Sequence, residues 1–324
     1  MSGPVDEFAW IASLRPLTGG DRRALDLADD AAVLPGRPGF DLVMSKDAMV
    51  EGVHFPTGET ADVIARRLLR TSLSDLAAKA AEPFGYLLLT AWPHHRGEGD
   101  RQAFRAGLEA DGLEFGVVLI GGDTVSTPGP MIVCATVLGW AEQGRAVLRS
   151  GARAGDALVV CGQIGDGWLG LQAVQGALAD PDGVLAARYR FPAPLFAMRQ
   201  VLAEQVNAAA DVSDGLIADA AHVAEASGLG LSLELNDIPL SAEGRAWLAG
   251  HVTPEAALLI LAVGGDDYAI VCAVDPSRLA SMLSAARAAN VPAARVGTFE
   301  PIPGTRITLA GRPVTPGTTG WRHS

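Results

Sequence analysis

Hydrophobic residues recur at three- and four-residue steps between residues 61 and 81, in ADVIARRLLRTSLSDLAAKAA. This spacing predicts one long amphipathic helix, with Leu68, Leu69, Leu73 and Leu76 on its buried face. Similar patterns, with start and stop signals around them, predict four further helices. They cover residues 168–178, 194–204, 216–227 and 276–289.

Short apolar runs bounded by turn residues predict the strands. The runs cover residues 41–45, 86–92, 116–122, 131–140, 157–162, 231–235, 259–265 and 268–274. Strands and helices alternate without a strict βαβ rhythm, so we predict a mixed α/β fold in two lobes. The basic, glycine-rich segment RSGARAGD (149–156) separates two predicted strands, which places the domains at 1–148 and 149–324.

Charge narrows the classes of partner. The chain of 324 residues has 37 acidic and 25 basic side chains, a net charge of -12. Such a surface repels a nucleic acid, so nucleic acid is not an expected partner. An acidic protein that binds a polyanion needs divalent cations to screen the ligand's charges and its own.

Cysteine usage and hydropathy point to one compartment. Cys134, Cys161 and Cys272 lie in apolar runs, without a CxxC pair or a histidine at metal-ligand spacing, so we expect buried free thiols. The N-terminal MSGPVDEFAW does not resemble a secretion signal, and every apolar run is far shorter than the roughly 20 residues of a membrane span. We therefore expect a cytoplasmic protein without a membrane partner.

Aspartates are predicted to fall at or just beyond the ends of apolar strands. One such residue alone is typical of a turn or helix cap, as Asp214 could be before a helix at Leu216. Two of them follow paired glycines, in VVLIGGD and LILAVGGD, and we expect these at strand ends where open α/β sheets bind ligands. The set consists of Asp29, Asp30, Asp47, Asp123, Asp211, Asp214, Asp266 and Asp267.

Grouped carboxylates repel each other unless cations join them. If Asp75, inside the long predicted helix, joins this set, its oxygen ligands suit Mg²⁺ between phosphate groups far better than zinc. The six histidines include only one close pair, in the turn WPHHRGEGD, which we predict to be an exposed loop.

Familiar phosphate-binding motifs are weak in this sequence or missing. GDGWLG (165–170) follows a predicted strand and opens a predicted helix, but no strand ending in an acid follows at the distance that a dinucleotide-binding unit needs. Free backbone N–H groups at this helix start could still bind phosphate. Lys46 and Lys79 are the only lysines and neither follows a glycine, so a P-loop is excluded. The sequence also contains no GxSxG motif, so a nucleophile elbow of that kind is excluded.

In order along the chain, the motifs resemble those of the thiamine-monophosphate kinases, a family of the aminoimidazole-ribonucleotide-synthetase-like superfamily. The blocks are DDAAVL (29–34), SKDAMVEGVHF (45–55), SLSDLAAKAAEP (72–83), LIGGDT (119–124), RSGARAGD (149–156), DVSDGLIAD (211–219), GGDDY (264–268) and GWRHS (320–324). The resemblance runs along nearly the whole chain. Its specificity comes from the order of the blocks.

The resemblance implies ATP-dependent phosphorylation of thiamine monophosphate to thiamine diphosphate, by direct Mg²⁺-assisted in-line transfer. It implies a metal shell of Asp30, Ser45, Asp47, Asp75, Asp123, Asp211 and Asp214, with Arg149, Asp47 and Asp123 acting on the transferring phosphate. It implies ATP contacts at Gly122, Asp123, Arg149 and Ser213, and an acceptor site of His54, Asp266 and Trp321. It also implies an N-terminal sheet that pairs into a barrel in a homodimer, and a C-terminal domain over the cleft.

Departures from the family pattern qualify this interpretation. Lys46 stands where the family commonly has threonine, and we predict that it replaces part of one ion's charge rather than acting as a ligand. Asp266 replaces a usual glutamate, which shortens the carboxylate by one methylene. This chain has LADD where the family usually has GIGDD, and it has GDG (165–167) where the family usually has GDS.

Two alternatives stay open at this point. One is another ATP-dependent enzyme of the same superfamily, although VEGVHF and GWRHS favour the kinase. The other is a non-catalytic protein that binds thiamine phosphates or nucleotide, with Lys46 and Asp266 as marks of lost turnover.

Overall fold

A computed structural model describes residues 7–321 of the chain. The chain divides into two compact units. The first comprises Met1–Leu76 and Ala81–Gly144, and the second comprises Ala77–Ala80 and Arg145–Ser324.

The first unit is built on a four-stranded sheet of order β1-β4-β2-β3, in which only β2 and β3 are parallel. Its helices are α1 (Glu7–Leu14), α2 (Ala61–Ala78, which ends in the second unit) and α3 (Glu98–Phe115). Its strands are β1 (Phe40–Val50), β2 (Glu82–Pro93), β3 (Val118–Thr127) and β4 (Ile132–Glu142).

Helix α2 covers one face of this sheet, and the other face is partly open. The apolar stripe of α2 is fully buried, from Ile64 through Leu68 to Leu76. Helix α3 packs closely against α2, since a Cβ on Gly107 would lie 2.4 Å from the carbonyl oxygen of Asp62. Side chains of β1 point alternately to the two faces. Leu42 and Met44 are exposed on the open face, with 40% and 61% of their surface accessible.

The second unit is built on a seven-stranded sheet of order β11-β10-β7-β9-β5-β8-β6. Its helices are α4 (Asp166–Val174), α5 (Val184–Arg190), α6 (Arg199–Gln205), α7 (Leu216–Ala226), α8 (Ala242–Ala249), α9 (Pro254–Val263) and α10 (Leu279–Ala288). Its strands are β5 (Ala157–Cys161), β6 (Val206–Asp211), β7 (Gly230–Glu234), β8 (Ile270–Val274), β9 (Ala293–Glu300), β10 (Thr305–Leu309) and β11 (Arg312–Val314).

Both faces of this second sheet are covered. Every residue of β5 and β8 is buried. Leu158 and Val271 belong to one hydrophobic cluster, whereas Val159 and Cys272, their neighbours along the strands, belong to another. Strands buried on both faces read as continuous apolar runs, which is why ALVVC and IVCAV are recognisable in the sequence.

One predicted strand is wrong. Residues 259–265 were expected to form a strand, but LILAV is the end of α9, and its buried residues Ala257, Leu258, Leu261 and Ala262 follow helical spacing. A short apolar run does not by itself distinguish a buried strand from a buried helix, and Pro254 in the first turn marks the helix start. Asp266 therefore follows a helix rather than a strand.

Two aspartates expected at strand ends lie within strands. Strand β1 continues past Asp47 to Val50, and β3 continues past Asp123 to Thr127. The polar residues hid these continuations because they sit on a strand that is not buried on both faces.

Other expectations were confirmed with shifted ends. The long helix is α2, the 168–178 helix is α4, and the 194–204 helix begins as a 3-10 turn at Phe196–Met198 before α6. The three cysteines are free and buried, in β4, β5 and β8. His94 and His95 lie exposed in a turn. Among residues 7–321, no helix has the length and apolar character needed to cross a bilayer.

Candidate active site

The pleat of β1 separates three adjacent predicted site residues. Ser45 and Asp47 point towards α2, where the Ser45 hydroxyl donates a hydrogen bond to the Asp75 carboxylate. Lys46, between them, is exposed and points to the open face. The sequence block SKD therefore serves two different surfaces.

The carboxylates of Asp47 and Asp75 form an electrostatically unfavourable pair. Burial, with the negative charge of Asp75 as the second cause, raises the pKa of Asp47 from its ordinary 3.8 to about 6, while a hydrogen bond from Ser72 acts in the opposite direction. A bound cation would relieve this repulsion. Within residues 7–321, however, no group of three or more His, Cys, Asp or Glu side chains is arranged to hold a metal ion. A cation at this pair would need further oxygen ligands, such as water or phosphate.

The open face carries a cavity of about 720 Å³. Its lining includes leucines of β2 and β3 and four charged residues, namely Asp29, Asp30, Lys46 and Asp123. Asp123 accepts the backbone N–H of Thr124 at 2.8 Å. Gly122 also lines the cavity, and a Cβ there would lie 2.0 Å from the carbonyl oxygen of Leu88, so only glycine fits this strand pairing.

His54 lies in the turn after β1 and is half-buried. Its Nδ1 accepts the backbone N–H of Val50 at 3.1 Å. A neutral ring that accepts this bond carries its proton on Nε2. His54 is not among the residues that line the cavity of the open face.

In the second unit, backbone hydrogen bonds join three loops that carry predicted site residues. The N–H of Asp266 donates to the carbonyl of Ser213 at 2.8 Å, and the N–H of Trp321 donates to the carbonyl of Asp214 at 2.9 Å. The Trp321 side chain is 57% exposed. Asp211 is the last residue of β6 and is buried. The loops thus bring Ser213, Asp214, Asp266 and Trp321 together.

Arg149 is exposed in the segment before β5. The carbonyl of the preceding Leu148 accepts the N–H of Ala209 at 2.9 Å. Arg149 therefore starts beside β6, the strand that ends at Asp211. Residues 322–324 of the GWRHS block lie outside the described residues.

Asp219 holds the 213–214 turn, and the sequence reasoning missed it. Its carboxylate accepts the N–H groups of Ser213 and Asp214, each at 3.0 Å. Burial and then the charge of Asp214 raise the pKa of Asp219 to about 6. Asp214 itself does not cap α7, whose first flanking residue is Gly215. An acid in the first helical turn, after SDG, was the available signal.

The predicted phosphate site at the start of α4 is partly occupied by the chain itself. Two of its backbone N–H groups already have an acceptor, since Gly165 and Gly167 donate to the two oxygens of Asp267 at 2.9 Å. Sequence inspection noted Asp267 only as one aspartate of the set. The helix start is thus occupied by a carboxylate of the same chain.

The neighbouring Asp266 belongs to a strained loop. Asp266 and Tyr268 have backbone φ values of 62° and 51°, which residues other than glycine rarely adopt. The Tyr268 hydroxyl donates to Oδ1 of Asp266 at 3.1 Å. Strained backbone of this kind is often found where a side chain must be presented to a ligand.

Comparison with known proteins places the chain in a family. The family model for the N-terminal domain of AIR synthase related protein matches residues 28–141 of this chain. The model for the C-terminal domain of that family matches residues 153–310. A thiamine-monophosphate kinase of Caulobacter vibrioides is 52% identical over 323 residues, covering 99% of this chain and 92% of the relative. The chain belongs to the thiamine-monophosphate kinase family.

More distant relatives agree. The thiamine-monophosphate kinase of Escherichia coli K12 is 34% identical, with 98% of each chain covered. The crystal structure of the Stenotrophomonas maltophilia thiamine-monophosphate kinase has a TM-score of 0.83 and 31% identity, covering 96% of this chain and 98% of that one. The structure of AaThiL complexed with AMPPCP and TMP has a TM-score of 0.78 at 23% identity, with both chains fully covered. This last likeness shows a shared fold.

Proposed function

We propose that the protein transfers the γ-phosphate of ATP to thiamine monophosphate, which yields ADP and thiamine diphosphate for thiamine diphosphate biosynthesis. The 52% identity to a thiamine-monophosphate kinase over 99% of the chain carries this proposal. The related AaThiL was crystallised with AMPPCP and TMP.

Mg²⁺ is the metal that the donor set fits, because the proposed shell offers carboxylate and hydroxyl oxygens and lacks histidine or thiolate ligands. Bound Mg²⁺ would neutralise charge on the phosphates. Asp47, whose pKa is raised by burial and then by the charge of Asp75, would hold a cation together with Asp75 and Ser45. The remaining proposed ligands are Asp30, Asp123, Asp211 and Asp214.

The chain's own residues would position two polyanions. Gly122, Asp123, Arg149 and Ser213 would contact ATP, and the Arg149 guanidinium would compensate charge on the transferring group. The acceptor, a phosphate monoester, is already anionic at neutral pH, so the site needs no strong general base. We expect direct in-line transfer without a phosphorylated protein.

The acceptor would be recognised by His54, Asp266 and Trp321. The Nε2–H of His54 would donate to an oxygen of thiamine monophosphate. The Tyr268 hydroxyl would hold the Asp266 carboxylate in place for the same ligand. Trp321, at 57% exposure, offers a flat face for a cationic thiamine ring. The shorter reach of Asp266 would alter the choice or affinity of the acceptor.

A homodimer in the cytoplasm completes the proposal. The open sheet face exposes Leu42, Met44, Leu87 and Val125, and exposed apolar side chains grouped on one sheet favour pairing with a second copy. The buried free cysteines fit a reducing compartment.

Product analysis tests the function. Purified protein is incubated with ATP, Mg²⁺ and thiamine monophosphate, beside a reaction without acceptor and an Asp47→Asn variant. We expect thiamine diphosphate and ADP in equal amounts, and neither from the variant. ADP without thiamine diphosphate would redirect the assignment to another enzyme of the superfamily. Ligand-induced stabilisation without either product would indicate a binding protein. A trapped phosphoprotein would overturn the direct transfer.

A further inference from the structure

The loop of residues 264–268 is tightly packed between the first turn of α4 and the segment that contains Ser213. A Cβ on Gly167, in the first turn of α4, would lie 2.3 Å from both the carbonyl carbon and the oxygen of Asp266. On the other side, a Cβ on Gly265 would lie 2.5 Å from the carbonyl oxygen of Ser213. Real Cβ atoms do not approach backbone this closely. The backbone of Asp266 is therefore seated directly on the backbone of α4.

A side chain from the same loop ties the two elements together. The carboxylate of Asp267 accepts the N–H groups of Gly165 and Gly167, one on each oxygen and both at 2.9 Å. Each oxygen is thus used by a different backbone donor, and a side chain with only one acceptor oxygen cannot replace it. These two hydrogen bonds from Gly165 and Gly167 to Asp267, here called the Asp267 clamp, hold the first turn of α4 against the loop at the point where Gly167 meets Asp266.

The Asp267 clamp acts on a loop whose backbone conformation is strained. Asp266 and Tyr268, on either side of Asp267, both have left-handed φ values of 62° and 51°. Surrounding structure must hold such residues in place. The N–H of Asp266 is bound to Ser213 and the N–H of Tyr268 to Val212, both at 2.8 Å, which fixes the loop from its other side.

We propose that Gly167 and Asp267 are positioning residues for the acceptor. They keep residues 265–268 in the conformation that presents the Asp266 carboxylate, and thereby set the affinity for thiamine monophosphate. This inference rests on the proposed function, in which Asp266 contacts the acceptor. Neither residue touches a substrate in this proposal; both act through the backbone of Asp266.

Two alanine substitutions in one helix form the test. Gly167→Ala forces the Asp266 carbonyl away, whereas the control Gly170→Ala creates a contact of equal severity, 2.3 Å from the carbonyl oxygen of Leu185, on a side of α4 that faces α5. We expect Gly167→Ala to raise the KM for thiamine monophosphate at least about tenfold, because small displacements at a site cost large factors, with the KM for ATP nearly unchanged. Gly170→Ala should lower Tm while leaving both KM values near those of the parent protein.

Asp267→Asn, which keeps size but loses one acceptor, should shift the acceptor KM in the same direction as Gly167→Ala. In an Asp266→Asn background, Gly167→Ala should add little, because the group that it positions is already gone. Equal effects of Gly167→Ala and Gly170→Ala on the acceptor KM, or full additivity with Asp266→Asn, would overturn the inference. A parent protein that forms no thiamine diphosphate would instead overturn the proposed function.

Discussion

The two sheets of this protein differ in how many of their faces are covered. In the second unit, every residue of β5 and β8 is buried, with a hydrophobic cluster on each side. In the first unit, β1 alternates between half-buried and exposed positions, and its open face exposes Met44 and Lys46. A strand that is buried on both faces along its whole length, such as β5 or β8, has no place for an unpaired charge, because burying such a charge costs too much free energy.

This difference decides where each unit carries its proposed site residues. The first unit places Ser45, Lys46 and Asp47 on a strand, where the pleat decides which of the two faces each side chain reaches. The second unit places Ser213, Asp214 and Asp266 on loops beyond its strands, where the backbone must be shaped first. Substitutions should therefore act through charge in the first unit and through backbone geometry in the second.

The largest effect should come from charge removal in the first unit. We expect Asp47→Asn to lower kcat at least about a hundredfold, since it removes a ligand of the proposed Mg²⁺ that stabilises the transferring phosphate. The same variant should be more stable than the parent protein in the absence of metal at neutral pH. Activity assays and thermal melts with EDTA measure the two effects.

The pH dependence fixes the sign of the stability effect. The pKa of Asp47 is raised from 3.8 to about 6, so its contribution to stability is present in full below about 4 and is lost as pH rises through about 6. The Tm advantage of Asp47→Asn should thus be largest above pH 6 and disappear near pH 4. Asp41→Asn, in the same strand, is the control for losing one negative charge. A variant that is less stable than its parent at pH 8 would contradict this account.

The second prediction concerns backbone in the second unit. Gly265 has a φ of +72°, and a Cβ there would meet the Ser213 carbonyl at 2.5 Å. Gly265→Ala should lower stability by roughly 2 kcal/mol and reduce kcat/KM for the acceptor about tenfold, although it changes no charge. Gly228→Ala is the matched control, because Gly228 has a φ of +69° and open space around its Cβ position. If both variants lose equal activity, the contact with Ser213 is not responsible.

The sequence predicted helices with a clear hydrophobic period better than it predicted all-apolar segments or contacts between loops. Asp75 was placed inside its helix because helical periodicity is strong in α2. The end of α9 was misassigned because a run that is apolar all round has no period to detect. The roles of Asp219 and Asp267 were missed because both bind backbone N–H groups, and such contacts arise only after separate loops have come together.

The third prediction tests the open face. Met44→Glu, which puts a charge among exposed apolar side chains, should dissociate the proposed homodimer into monomers with a modest loss of activity. Light scattering across a range of concentrations measures the change. Leu113→Glu, at an 81% exposed position on α3, is the control and should leave the dimer intact. A parent protein that is monomeric at all concentrations would contradict the dimer itself.

The smallest effect, and the most specific to this chain, concerns Lys46. Its side chain shares the open-face cavity with Asp29, Asp30 and Asp123, so its ammonium group offsets part of their charge. Lys46→Thr should leave kcat within a few-fold of the parent protein but raise the number of Mn²⁺ ions bound in the presence of an ATP analogue, because the uncompensated carboxylates would recruit a cation in its place. Lys46→Arg keeps the positive charge and should bind as many ions as the parent protein. An unchanged ion count in Lys46→Thr would show that this lysine does not replace a metal charge.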